Sequence, residues 1–377
     1  MSDTNARSQE YSRMKERLAL AGTALTLAGS ALFLGTGLAA KMNRRLLPKT
    51  RASFTKRVRY HGSLSLGSLM LGLPLSFYSG YIVEKRFGLS NQTPRSWAID
   101  VVKGEAISAP LQIALIEGMQ WTIRRWPDRW WLIASGTAIP LTAGLTFLFP
   151  VLIAPRFNTY EPLEDTELAA RLKLLAEKTG IEVADVMQMD MSRRTTKANA
   201  FFAGIGHTKR IVISDTMLAG FTPDEIETVV AHEIGHQVNR DLWRFILSSS
   251  FVTLAIAWVT DRVGRRAMSS RPELVGATSL GNPRALPLIA LAFGVAGTVI
   301  TPLQLAYSRR IERRTDRFAV ALTGNGSAYA SALAKLAALN LADPNPPGWV
   351  TILLHSHPPI AERIDTARTA EINALWT

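Results

Sequence analysis

The sequence predicts a mainly α-helical, multi-pass membrane protein with a water-facing, metal-binding domain that contains a small β-hairpin or sheet. Three observations carry that prediction. Of the 377 residues, 47% are hydrophobic, and many of them fall in uncharged runs. His232-Glu233-Ile234-Gly235-His236 sets two histidines four residues apart, with a glutamate beside the first. The chain has no cysteine, so disulfides, thiolate ligands and a cysteine nucleophile are excluded, and any metal must be held by His and carboxylate.

The spans come first. Leu18–Ala40, Gly62–Val83, Trp131–Ala154 and Ala285–Ser308 are uncharged, and about 20 apolar residues suffice for a helix to cross a bilayer. Two softer candidates are Ala106–Ile123, which carries Glu117, and Phe245–Thr260, which ends at Asp261. Leu18–Ala40 is too long for a signal-peptide core and marks no single cleavage site, so it reads as a retained span. The net charge of +13 lies largely in blocks beside the spans, such as Lys41-Met42-Asn43-Arg44-Arg45 and Lys56-Arg57-Val58-Arg59. Such blocks meet lipid headgroups and set topology. The bilayer is therefore a partner, and no nucleic-acid recognition motif is present. Among the predicted spans only Glu117 is charged, a weak signature for an ion pathway.

Between the spans, Pro155 opens a polar stretch. Leu163–Lys178 has apolar residues at helical spacing, followed by Gly180. Val186–Met189, Ala200–Ile205 and Arg210–Ile213 read as extended, and Gly206-His207-Thr208-Lys209 as the turn of a hairpin joining the last two. Thr222-Pro223-Asp224-Glu225 is a helix start, with Thr as N-cap, Pro at the first position and Glu closing a capping box. The helix it opens runs into His232, so local signals place the histidine pair on one helical face, suited to a shared metal. Glu233 can take a proton from a water polarised by that metal. The division that follows is residues 1–155 as an N-terminal membrane part of about four helices and 156–244 as the first catalytic part. Residues 245–307 supply two further membrane helices, and 308–377 the second catalytic part, opening with a basic helix at Arg309–Leu322.

A catalytic zinc site needs a third protein ligand and an open position. Glu312 is better placed than His61 in the basic loop or His207 in the turn. Asp316 follows one turn later, where it can accept the N–H of a ligand imidazole. Spacing alone leaves a second reading open, in which Glu312 and Asp316 are solvated partners of the surrounding arginines.

Several separate blocks resemble the CAAX prenyl protease 1 family of integral-membrane, gluzincin-type zinc endopeptidases, which is related to the HtpX-type membrane proteases. Ser308, Arg309, Glu312, Asp316 and Ala319 meet the form S-R-x-x-E-x-x-x-D-x-x-A. Asn199-Ala200-Phe201-Phe202, with Lys209–Val212 and Asp215-Thr216, is similar to the hairpin ahead of the zinc helix. Phe87–Thr93, Ala154–Asn158 with Pro162-Leu163, and His355-Ser356-His357-Pro358-Pro359 with Glu362-Arg363 match further blocks. The resemblance implies one Zn2+ per chain held by His232, His236 and Glu312, with Glu233 as general base and Asp316 behind the ligands. It also implies that Asn199 holds substrate backbone and His357 stabilises the oxyanion. Arg363 is offered either to substrate or to a structural ion pair. The substrate class it implies is the C-terminal tripeptide of prenylated proteins. For a bacterial source, quality control of membrane proteins in the cell membrane is the alternative, and a non-catalytic scaffold is a distant third because every candidate ligand is intact. The resemblance places the site on the cytoplasmic face, whereas the eight Lys or Arg of Lys41–His61 argue by the positive-inside rule for the opposite one. Two departures stand out. Arg313-Arg314 replaces an aromatic-acidic pair, which predicts a more basic rim, and the N-terminal part reads one span shorter than in eukaryotic members.

Overall fold

The computed structural model describes residues 2–47, 52–204 and 206–374. The first long helix, α1 (Ser2–Gly35), begins well before the apolar run and ends short of it. Gly37 adopts a left-handed backbone (φ 73°), which breaks the chain before α2 (Leu38–Leu46). The expected span to Ala40 is therefore corrected: its last residues open a short amphipathic helix that ends in Arg44 and Arg45. Next comes α3 (Phe54–Phe77), continued by a π-helical turn and α4 (Val83–Arg86), so that His61 sits in a helix rather than in a loop. Then come α5 (Pro94–Arg125) and α6 (Trp130–Leu148).

The polar segment folds around a four-stranded sheet. Its elements are β1 (Tyr160–Pro162), α7 (Thr166–Glu177), β2 (Asp185–Met189), β3 (Ala200–Ala203), β4 (Arg210–Ser214), α8 (Asp215–Gly220) and α9 (Pro223–Val238). The strand order is β1-β2-β4-β3. β3 and β4 form the expected antiparallel hairpin, with Phe201 opposite Val212, and β3 lies at the sheet edge. Ile205, the expected end of that strand, lies outside the described residues. Sequence reading did not foresee that β2 runs parallel to β4, a pairing made across the intervening hairpin.

The chain then enters α10 (Asp241–Ser270) and α11 (Leu286–Thr323), followed by α12 (Gly326–Asn340), α13 (Gly348–Leu354) and α14 (Ile360–Ala374). The expected span at Ala285–Ser308 and the basic helix at Arg309–Leu322 are one continuous 38-residue helix. The boundary at 307/308 thus falls inside a single element. Leu172, Ile213, Met217, Val230 and Ile234 are fully buried in one core that joins α7, the sheet and α9 to α11, α12 and α14.

Among the described residues, five helices are long and apolar enough to cross a membrane: those at Asn5–Gly35, Phe54–Arg86, Trp130–Leu148, Asp241–Ser270 and Pro283–Thr323. The softer candidate at Phe245–Thr260 is therefore a full-length span, and Ala106–Ile123 lies in α5, which is not among the five. Even so, α5 connects opposite ends of the molecule. Just before its start, Asn91 N donates to Arg194 O and Thr195 Oγ1 to Leu89 O, beside the sheet. Its other end meets the far loops, where Gly281 abuts the Arg124 backbone. At 32 residues the helix is about 48 Å long, ample for a bilayer. Glu117, buried within it, is matched by Arg57 Nε at 2.9 Å and His61 Nδ1 at 3.1 Å. Buried charges in such a setting need partners. The far end gathers residues 38–47, 124–131 and 261–285, which carry eleven Lys or Arg and three Asp or Glu.

Candidate metal centre and active site

The capping box at the start of α9 is present: Thr222 N donates to Glu225 Oε2 at 2.8 Å, and Glu225 N to Thr222 Oγ1 at 3.3 Å. Such a cap contributes about 1 kcal/mol and fixes where the helix begins. Three turns on, His232 and His236 point to a common space, their Nε2 atoms 3.2 Å apart. α11 crosses α9 there and supplies Glu312. Its Oε2 lies 3.3 Å from His232 Nε2 and its Oε1 3.6 Å from His236 Nε2. Gly235 permits this crossing, because a Cβ at that position would stand 2.8 Å from Thr315 Cγ2 and Phe318 Cδ1 of α11.

The donor set fits a metal. Donor atoms about 2.0–2.1 Å from a tetrahedral zinc stand about 3.3 Å from one another; the two imidazole Nε2 atoms are 3.2 Å apart, and one oxygen of the Glu312 carboxylate approaches each of them, Oε2 at 3.3 Å and Oε1 at 3.6 Å. Glu312 Oε2 is buried and accepts no well-formed hydrogen bond, an arrangement that costs free energy unless a cation compensates it. Among the described residues this is the one group of three or more such side chains able to share an ion.

The two imidazoles are oriented from behind by carboxylates. Asp316 Oδ1 lies 3.0 Å from His232 Nδ1, the position the resemblance implies for it. Asp241 Oδ2 lies 3.1 Å from His236 Nδ1. In each case the Nδ1 proton goes to the carboxylate and leaves the Nε2 lone pair for the metal. Sequence reading missed Asp241. Its signal was its place just past the zinc helix, where Arg240 takes a left-handed backbone (φ 51°) that ends α9 and turns Asp241 back toward His236. Tyr329 of α12 was also missed. Its hydroxyl donates to Asp316 Oδ1 at 2.6 Å and lies 3.0 Å from His232 Nδ1. Nothing in its local sequence marks it.

Arg363 is buried and doubly engaged by Asp316, through Nε at 2.9 Å and Nη2 at 2.7 Å. Of the two roles offered for it, the structure displays the ion pair, with Nη2 also 4.0 Å from Glu312 Oε2. The predicted basic rim needs correction. Arg313 pairs with Glu362, and Arg314 with Asp241, so both charges are balanced locally. His357 does reach the site, with Nε2 3.5 Å from Glu312 Oε1. Its segment is tied to α11 because Arg309 Nη1 donates to Thr351 O at 2.8 Å and His355 O at 2.7 Å. Asn199 lies at the sheet edge, its side chain exposed and its backbone paired with Ser214. His207 lies apart, beside Glu182, and His61 is in the membrane helices.

Burial lowers the pKa of His232, but the Asp316 and Glu312 carboxylates against its ring more than offset this and hold it at about 9. Burial, with Glu312 nearby, raises the carboxyl of Glu233 above the usual range despite the two histidines.

The sequence profile of peptidase family M48 matches residues 162–371, more than half of the chain. The chain belongs to peptidase family M48. A second profile, for the CAAX prenyl protease N-terminal region of five membrane helices, matches residues 2–159. Among the described residues of that interval this family member has four long helices and the short α2, whose nine residues are too few to cross a bilayer. An uncharacterized metalloprotease of Bacillus subtilis, YhfN, is 32% identical over 363 residues, spanning 96% of this chain and 85% of the relative. CAAX prenyl protease 1 of Saccharomyces cerevisiae is 29% identical, again over 96% of this chain and 85% of the relative. The crystal structure of S. mikatae Ste24p superposes with a TM-score of 0.85 at 25% identity, covering 97% of this chain and 89% of that one. The protein is thus a multi-pass membrane metallopeptidase of this family, acting on polypeptide and similar to CAAX prenyl protease 1.

Proposed function

We propose that His232, His236 and Glu312 hold one catalytic zinc ion and that Glu233 is the general base of peptide hydrolysis. The observation that carries this is the convergence of three donor atoms from α9 and α11 within 4.8 Å of one another. A bound zinc would supply Lewis acidity, lowering the pKa of a water to about 7 and polarising the scissile carbonyl. Glu233, on the turn that bears His232, takes the proton from the attacking water and returns it to the leaving amine. His357 donates to the carbonyl oxygen as negative charge builds there. The substrate adds as an extended strand along the free edge of β3, where Asn199 holds its backbone. Asp316 and Asp241 keep the imidazole tautomers in place, and Arg363 keeps Asp316 ionised and oriented. Glu233→Gln should lower cleavage by at least about a hundredfold while the metal stays bound. Cleavage at the wild-type rate would sink the assignment.

The resemblance and the names of the eukaryotic relatives support the C-terminal peptide of a prenylated protein as substrate. Similarity to a bacterial metalloprotease at 32% identity favours a second reading, turnover of membrane proteins that carry no prenyl group. Cleavage of a farnesylated peptide, its unprenylated twin and a misfolded membrane protein separates the two. A preference for the farnesylated peptide over its twin supports the first reading, and equal rates support the second. The resemblance also supports a cytoplasmic catalytic face. The eleven basic residues at the far end favour the reverse orientation by the positive-inside rule. A reporter fused at the C-terminus and active only outside the cytoplasm would overturn the cytoplasmic assignment.

A further inference from the structure

At the end of the molecule away from the metal centre, a cavity of about 700 Å³ opens where the last turn of α5 and the end of α10 meet the loop at 272–281. Arg124 and Arg265 line it, along with Ser269, Thr278 and Ser279, while Ile123 and Met268 give an apolar wall. Its volume falls in the range of ordinary small-molecule sites.

This cavity is held open by packing and hydrogen bonds. Gly281 lets the loop close on α5, since a Cβ there would stand 2.9 Å from Arg124 Cγ and 3.3 Å from its Cα. Gly264 allows the same approach of Leu280 to α10, with a Cβ-to-Cδ2 separation of 2.9 Å. Asn43 of α2 donates to Val275 O at 2.8 Å and Arg284 O at 3.0 Å, and is itself fixed by Tyr60 Oη at 2.6 Å. Arg124 is steadied by Gln120 Oε1 at 3.4 Å, while Arg265 pairs with Asp261 Oδ1 at 2.8 Å and Asp128 Oδ1 at 3.4 Å and donates to Pro127 O.

The level of the cavity along the spans identifies its surroundings. It lies where the helices Trp130–Leu148, Asp241–Ser270 and Pro283–Thr323 have their ends on this side. Trp121 and Trp126 pack edge to face nearby, 5.2 Å between centroids, with Arg125 over Trp126 and Arg262 over Trp258. Tryptophans ringed by arginines mark the boundary between hydrocarbon and headgroups. A basic pocket at this depth, with hydroxyl donors and an apolar wall, has the chemistry of a phosphodiester site whose ligand keeps its acyl chains in the bilayer.

We propose that this cavity binds the phosphodiester headgroup of an anionic phospholipid. The test uses the full-length protein in neutral detergent, with retained lipid read by native mass spectrometry. Phosphatidylglycerol is compared with phosphatidylcholine of the same acyl chains, and inorganic phosphate serves as competitor. The wild type should retain phosphatidylglycerol at least roughly fivefold more strongly than phosphatidylcholine, in line with one or more basic contacts. Arg124→Gln should erase that preference. Thr278→Glu, at an exposed loop position that places a repelling charge at the mouth, should erase it as well, and serves if the arginine variant fails to fold. Both variants should keep wild-type peptidase activity in detergent. Equal retention of the two lipids by the wild type, or an unchanged preference in Thr278→Glu, overturns the proposal. Displacement of phosphatidylglycerol by millimolar phosphate assigns the site to a soluble phosphoester and overturns the lipid source.

Discussion

His232 shows how much a single side chain's chemistry depends on residues far away in sequence. Its Nδ1 meets Asp316 of α11 and Tyr329 of α12, and its Nε2 faces Glu312. In the metal-free protein these partners hold the imidazole at about 9, so at neutral pH it carries a proton that a metal must displace. The sign follows directly. Below pH 9 each unit of acidification costs about tenfold in apparent affinity for the one proton released, and above it the affinity levels off. Competition with a chelator at pH 6, 7 and 8 measures this, and a flat affinity over that range would contradict it. Asp241→Asn and Asp316→Asn should each weaken metal binding about 10- to 100-fold, because each removes an acceptor that fixes a ligand tautomer. The metal motif was legible from helical spacing, and Asp316 only once the S-R-x-x-E-x-x-x-D-x-x-A resemblance was added to its spacing. Asp241 and Tyr329 were not, because what recruits them is a left-handed turn at Arg240 and the packing of α12.

At the scale of elements, the crossing of α9 and α11 decides whether the site exists. Its tightest point is Gly235, in the middle of the metal motif, where an added Cβ would meet Thr315 and Phe318 at 2.8 Å. Gly235→Ala should therefore cost about 1–3 kcal/mol by overpacking and also weaken metal retention by pushing Glu312 away from the histidines. Thermal midpoint and metal content together check this, and a variant that keeps both unchanged would contradict the close-packing account. The helix start at Thr222 and the hairpin of β3 and β4 were readable because their signals are local: a capping box, and a turn between two extended runs. The parallel pairing of β2 with β4 was not, since a non-local register leaves no local mark. The fusion of the span at Ala285–Ser308 with the basic helix after it was also hidden. Hydropathy changes there while the backbone continues without a break.

Across the whole molecule, two ends are distinguished by what gathers at each. The amino-terminal residues, the segment 87–93 and the peptidase core meet at one: Tyr11 Oη bonds Glu84, Ser12 Oγ bonds Leu341 O, and Ser90 bridges Thr195. The basic loops and the tryptophans gather at the other. This arrangement points to α5 as a sixth crossing, although composition alone would leave it out, because Glu117 is matched by Arg57 and His61 and Asp100 by Arg194. Reporters placed on either side of α5, in the segment 87–93 and in the turn at 126–129, should thus report opposite sides of the membrane. The same side for both would mean that α5 does not cross. The number of spans was partly legible, since apolar runs reveal themselves. The passage of α5 was not, because Glu117 looks costly until Arg57 and His61 are seen beside it.

The account stands or falls on the union of α9 and α11 around one metal ion, and metal content per chain measures that union most directly. After dialysis against limiting zinc, the wild type and Glu233→Gln should each retain one equivalent, and Glu312→Gln close to none. A Glu312→Gln protein that keeps a full equivalent would show that the third ligand lies elsewhere and contradict the site described here.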